Sequence, residues 1–258
     1  MKLREIIAAL ERTAPLRLQE EWDNSGLQVG FPQAEISSVL VCLDVTEAVV
    51  EEAAAKGCQL VVSHHPLLYR PLRQVSDATY QQRCVVKALA AGISIYSAHT
   101  SLDNAPGGVN HKMAALLGLQ NLSWLAPLAS GEGGSGLVGE LPVPEEDRAF
   151  LERVRRTFRV ESLRHSALDG RRIRRVALCG GSGGSFLSEA IRAGVDCYLT
   201  GELHYHAYFD TAGVLLAELG HYQSEQFTQD LLKDLLMAAF PTLRVVKTEL
   251  DTNPICYD

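Results

Sequence analysis

Apolar positions along this chain switch between a helical period and short uninterrupted runs. Leu3, Ile6, Ile7 and Leu10 recur at helical spacing, and Pro15 closes that segment. Val39 to Val45 reads as a buried strand; Thr46 then caps a helix to about Lys56, with Gly57 as its stop. Leu60 to Ser63 predicts a second strand. Asp77 is placed to cap a helix through about Ala90, and Ile93 to Ala98 predicts a third strand. This β-α-β-α-β order favours a parallel sheet covered by helices.

From about Ala129 to Gly139 the chain is glycine-rich, a composition that predicts a linker or long loop. A second α/β stretch follows. Its helices are expected at Pro144 to Phe158 and Ser185 to Ala193, its strands at Arg174 to Cys179, Cys197 to Thr200 and Val214 to Leu219. A helix from about Tyr222 to Phe240 and a strand from Leu243 to Thr248 come last. The expected class is therefore α/β, with two α/β domains, mostly parallel sheets and a dinuclear metal site in the cleft between them. Residues 1–127 with 220–258 make the first domain, which carries most of the metal ligands; residues 128–219 make the second.

The strand ends carry the chemistry. Asp44 follows the first strand, His64 and His65 the second, His99 and Asp103 the third. In open α/β sheets, ligands bind beyond the carboxyl ends of the strands, so residues far apart in sequence converge there. Pro66 interrupts the strand and lets both adjacent imidazoles project from its end. His221 and Glu225 stand four residues apart and share one helix face. Histidine and carboxylate without thiolate suits Zn, Fe, Mn or Ni better than a cysteine-rich structural zinc site. The pattern predicts two divalent metal ions per chain.

With 258 residues, 47% of them hydrophobic, the chain can bury a substantial core. A net charge of −7 argues against nucleic acid as the main partner, and no run approaches the length of a membrane span. The first residues, with Glu5 among their apolar positions, do not read as a signal peptide. The six cysteines form no Cys-x-x-Cys pair, and five lie in apolar or helical runs. Buried free thiols are expected, which fits a reducing cytoplasm.

The segments Glu21-Trp22-Asp23-Asn24-Ser25-Gly26-Leu27, Ser63-His64-His65-Pro66 and His99-Thr100-Ser101-Leu102-Asp103, with Gly107-Gly108-Val109-Asn110, resemble the NIF-three-like dinuclear metal-centre family. Cys179-Gly180-Gly181-Ser182-Gly183, Thr200-Gly201-Glu202 and Gly220-His221-Tyr222-Gln223-Ser224-Glu225 continue the resemblance in order along nearly the whole chain. Many members are described as GTP cyclohydrolase I type-two homologues. The resemblance implies His64, His65, Asp103, His221 and Glu225 as metal ligands and a homohexameric ring with the metals facing inward. Larger members carry an extra middle domain, so this chain resembles the short bacterial form.

Two functions follow as expectations. One is a dinuclear metal-dependent hydrolase acting on a nucleotide, in its sharpest form a GTP cyclohydrolase-like ring opening with formate release. The other is a metal-binding protein for storage or delivery, without turnover. For the hydrolase, His99 and Glu202 are the candidate proton-transfer residues, and each has an orienting hydrogen bond as its alternative role. Gly181, Ser182 and Gly183, between a strand and a helix, are placed to cradle a phosphate, though the turn matches no nucleotide-binding fingerprint. Arg70 and Arg73 can meet a triphosphate. Trp22 either stacks a base or, as the preferred reading, plugs the core.

Overall fold

The computed structural model describes residues 1–256. It is a mixed α/β fold with two sheets. The chain divides into two compact units, the first made of Met1–Leu102 and Phe227–Pro254, the second containing Asp103–Gln226.

In the first unit, α1 (Leu3–Thr13) precedes β1 (Gly26–Val29), β2 (Ser38–Cys42), α2 (Glu47–Ala55), β3 (Leu60–Ser63), α3 (Tyr80–Ala90) and β4 (Ser94–Ser97). The sheet order is β1-β4-β3-β2 and then the strand Arg244–Lys247. Only the β1–β4 pairing is antiparallel. This matches the expected parallel sheet, with β1 added at one edge. Thr46 caps α2 as its sequence predicts, its hydroxyl accepting from the Val49 amide at 3.2 Å. The cap of α3 is Thr79 rather than Asp77. Every residue of β2, β3 and β4 is buried, as expected for parallel strands covered on both faces. Leu40, Val61 and Ile95 pack under Val49, Val50 and Ala53 of α2 and Cys84, Val85 and Ala88 of α3. Each such Val, Leu or Ile contributes roughly 1.5–3 kcal/mol by leaving water. The helix Thr228–Ala239 packs against β2 and the strand Arg244–Lys247, and α1 packs against that helix.

The second unit begins in α4 (Thr100–Asp103) and continues through α5 (Val109–Leu116), β5 (Gln120–Pro127), β6 (Gly134–Glu146) and α6 (Asp147–Thr157). Then come β7 (Arg164–His165), β8 (Arg172–Cys179), α7 (Leu187–Arg192), β9 (Cys197–Thr200), β10 (Leu215–Glu218) and α8 (His221–Glu225). The sheet order is β5-β6-β8-β9-β10-β7, and only β8–β9 and β9–β10 run parallel. This sheet is thus mixed, where the sequence predicts mostly parallel strands. The cause is the glycine-rich stretch, which is no linker. It turns the β5–β6 hairpin and enters a long strand whose first six residues are buried. A Cβ on Gly134 would lie 2.7 Å from the Ala126 carbonyl, and one on Gly139 2.7 Å from Leu122. These glycines therefore buy close packing of the hairpin rather than flexibility.

The hairpin also moves the unit boundary. Residues 103–127 and 220–226 group with the second unit, whereas the sequence reading assigns them to the first. β8 is an interior strand; just before it Arg171 pairs with Asp169, and on it Arg174 pairs with Glu140. Cys42, Cys58, Cys84, Cys179 and Cys197 are buried free thiols, as expected. Among the described residues, no helix is long and apolar enough to cross a membrane.

Candidate metal centre

In the first unit, the β2–β3 ladder carries past Ser63. The amides of His64 and His65 donate to Cys42 O and Leu43 O at 3.3 and 3.0 Å. Ser63 Oγ donates to the His65 carbonyl at 2.8 Å and so pins the bend that Pro66 makes necessary. His64 is fully buried and His65 half-buried.

Their rings are held by their inner nitrogens. His64 Nδ1 lies 3.2 Å from Ala98 O. A carbonyl can only accept, so this nitrogen carries a proton and Nε2 holds the ligating lone pair of the neutral ring. His65 Nδ1 lies 2.7 Å from Asp44 Oδ1, and Asp44 Oδ2 accepts from Thr252 Oγ1 at 2.9 Å. Burial pushes the Asp44 carboxyl up. The hydrogen bond and charge of His65, with the Thr252 hydroxyl, outweigh that and leave it lowered.

His99 repeats the arrangement, with Nδ1 2.7 Å from Asp23 Oδ1. The other Asp23 oxygen accepts from the Thr100 amide at 3.1 Å and from Ser25 Oγ at 2.8 Å. Burial again opposes the charge on Asp23, but His99 and the two hydroxyls hold its carboxyl well below the usual range. The rings of His64, His65 and His99 lie 4.8, 5.5 and 5.6 Å apart, so three imidazoles cluster in this unit.

The second unit builds its donors on a helix packed against two glycine turns. His221 Nε2 and Glu225 Oε2 are 3.2 Å apart on α8, and His221 Nδ1 meets Glu202 Oε1 at 3.0 Å. Burial disfavours the His221 cation, yet the two carboxylates push its pKa up to about 11. The same contact lowers the Glu202 carboxyl, helped by the Ser182 hydroxyl and opposed by burial. A Cβ on Gly181, where φ is +61°, would lie 2.4 Å from Glu225 Oε1. One on Gly201 would lie 2.5 Å from Gly181 O and 2.6 Å from Ser224 Oγ. Glycine is thus what allows α8 to approach this closely. Asp103 ends α4, where Asn110 Nδ2 donates to its carbonyl at 3.1 Å while Asn110 Oδ1 accepts from the Gly180 amide at 3.0 Å.

Several sequence-predicted roles take new form here. Glu202 faces the Nδ1 of His221, the position of a carboxylate that orients a ligand. The amides of Gly181 and Gly183 donate to Ser224 Oγ and Thr200 Oγ1, both at 3.0 Å. The turn thereby uses the Gly181 and Gly183 amides in its own packing. Trp22 does not plug the core: it is 56% exposed. Sequence reasoning passed over Asp23 as the support of His99, because the two are 76 residues apart and nothing local links them. Its place in the Asp-Asn-Ser-Gly turn was the available signal.

The donor set fits a divalent cation. Imidazole whose second nitrogen is bound to a carboxylate or carbonyl is the arrangement seen around metal-ligating histidines, and here it recurs at His64, His65 and His221. His64, His65 and Glu225 could hold a metal ion. Such a fold, with histidines braced in this way, defines a mixed α/β protein whose donor set could hold a metal ion.

The chain belongs to the Duf34/NIF3 (NGG1p interacting factor 3) family, whose model matches residues 1–254. It is 35% identical to a GTP cyclohydrolase 1 type 2 homolog of Lactococcus lactis over the full length of both chains. It is 31% identical to the Protein NIF3 homolog of Schizosaccharomyces pombe, covering 98% of this chain and 96% of that one. The crystal structure of Staphylococcus aureus protein SA1388 is similar at a TM-score of 0.92 and 26% identity, covering 100% of this chain and 99% of the other. Names ending in "homolog" leave the family's activity open.

Proposed function

We propose that this protein is a dinuclear metal-dependent hydrolase acting on a nucleotide, with His64, His65, Asp103, His221 and Glu225 holding two divalent ions of Zn, Fe, Mn or Ni. The observation that carries the reading is that His64, His65 and His221 are each held through Nδ1 by a carbonyl or carboxylate, an arrangement that supports ligation through Nε2. The relatives' shared name, GTP cyclohydrolase 1 type 2 homolog, supports the substrate class.

When bound, the ions supply Lewis acidity that makes a water nucleophilic near neutral pH. The chain's residues do the rest. Asp44 and Glu202 orient the rings of His65 and His221 through Nδ1. His99, oriented by Asp23, takes and returns a proton at Nε2. In the sharpest form of the reaction, one water adds at C8 of GTP and opens the imidazole ring to a formamide. A second water then hydrolyses the formamide and releases formate.

A second reading is metal storage or delivery without turnover. The side chains of His65 and His221 keep 21% and 32% of their surface exposed, which leaves a bound ion a route to solvent. We also carry over from the family resemblance a homohexameric ring, which light scattering at six chain masses would check, and a cytoplasmic location, which fits the free thiols.

Formate release from GTP by the Mn- or Zn-loaded protein, beside the Glu225→Ala variant, tests the hydrolase. Saturable release lost in the variant is expected. Two bound metals without formate would move the reading to metal handling.

A further inference from the structure

A tryptophan left in water on a hydrogen-bonded loop needs a reason, because a fully buried aromatic is among the largest contributors to a core. Trp22 is 56% exposed, and its loop is not loose. The adjoining Asp23 accepts from His99 Nδ1 and from the Thr100 amide, and Asn24 Nδ2 donates to Leu68 O at 2.7 Å. Gln28 Oε1 accepts from the Leu68 amide at 3.1 Å, so the loops at 22–25 and 66–70 are tied together twice.

The second loop brings Tyr69, itself 43% exposed, to 5.9 Å from the Trp22 ring at a 59° tilt. The Arg70 guanidinium lies 5.4 Å over the Tyr69 ring. Trp22 also meets His99 edge to face at 6.0 Å, and His99 belongs to the three-imidazole cluster. Two exposed aromatic rings and a cation are therefore fixed beside the proton-transfer candidate, all within the first unit.

We propose that Trp22 and Tyr69 form a stacking platform for the nucleobase of a free nucleotide, with Arg70 meeting its phosphates. The proposal rests on the nucleotide reading above and names where the base is held. Aromatic side chains bind any base through its π-face, and a guanidinium adds affinity for phosphate oxygens. The net charge of −7 argues against a polynucleotide as the main partner, since a long phosphate backbone calls for many cations. It leaves a single nucleotide, met by one local cation, as the fitting ligand.

Calorimetric titration of the full chain with GTP and with inorganic tripolyphosphate, at matched metal content, tests this. Trp22→Ala is expected to weaken GTP binding about 5- to 150-fold, the range for losing one base stack, while tripolyphosphate binding holds. Trp22→Phe should restore most of the GTP affinity, and Arg70→Ala should weaken both ligands. Unchanged GTP affinity in Trp22→Ala, equal losses for both ligands, or no GTP binding by the wild type would overturn the platform. So would a single-stranded oligonucleotide that outcompetes GTP. Trp22-dependent GTP binding without formate release would keep the platform and sink the hydrolase. Formate release indifferent to Trp22 would do the reverse.

Discussion

The two units prepare histidines in different ways. In the first, His64, His65 and His99 project from strand ends and are steered by Nδ1 contacts to Ala98 O, Asp44 and Asp23. In the second, His221 and Glu225 sit on a short helix whose position is set by close approach to Gly181 and Gly201. A hydrogen-bonded brace can weaken by degrees, because losing a bond leaves the ring in place but less well oriented. A steric seat cannot, because an added methyl has nowhere to go. The hydrogen-bonded braces should therefore respond to substitution in affinity, and the glycine seat of the second unit in stability.

The largest effect is expected at the glycine seat. Gly181→Ala forces an L side chain into a left-handed backbone and against Glu225, and Gly201→Ala drives a methyl into the Gly181 carbonyl. Overpacking in both variants, with left-handed backbone strain added at Gly181, predicts a loss of about 2–4 kcal/mol, measured by urea unfolding. Wild-type stability in both would show that α8 can shift freely, and the contrast between the units would dissolve.

A smaller effect is expected at the braces. Asp44→Asn and Glu202→Gln should keep the fold and lower metal affinity about 10- to 100-fold, read by competition with a chromophoric chelator. If Asp44→Asn unfolds the protein instead, the first unit is held as sterically as the second.

The smallest effect is a pH trend that separates the two units. The folded pKa of His221 is raised from 6.5 to about 11, so its ion pairs with Glu202 and Glu225 stabilise the metal-free fold fully below about pH 6.5. That contribution fades as pH rises through the window up to about 11. A metal ion that takes the proton's place should flatten the trend, and its binding should release protons. Chelated and loaded protein followed by thermal unfolding across that range would show the difference. A metal-free trend that survives in the His221→Ala variant would assign it elsewhere.

How far the sequence could be read follows from how local each feature is. The β2-α2-β3-α3-β4 core was legible because caps, stops and apolar runs are local signals, as with Thr46 and Gly57. The two His64–His65 and His221–Glu225 pairs were legible for the same reason. The glycine-rich stretch misled, since composition does not separate a flexible linker from a hairpin whose neighbours leave no room for side chains. That single misreading carried the unit boundary and the expected parallel second sheet with it. Long-range supports were also hidden. Asp44 reaches His65 across 21 residues and Asp23 reaches His99 across 76, and only the folded sheet brings those pairs together. Trp22 shows the reverse case: its side chain alone suggests a core, and only the bracing of its loop explains its exposure.

The most direct test of the metal reading is elemental analysis of the purified chain after loading with Mn or Zn, with Asp103→Ala and Glu225→Ala prepared in parallel. The account predicts two metals per chain in the wild type and the loss of at least one in each variant, with circular dichroism unchanged. Full occupancy in both variants, or no metal in the wild type, would contradict it.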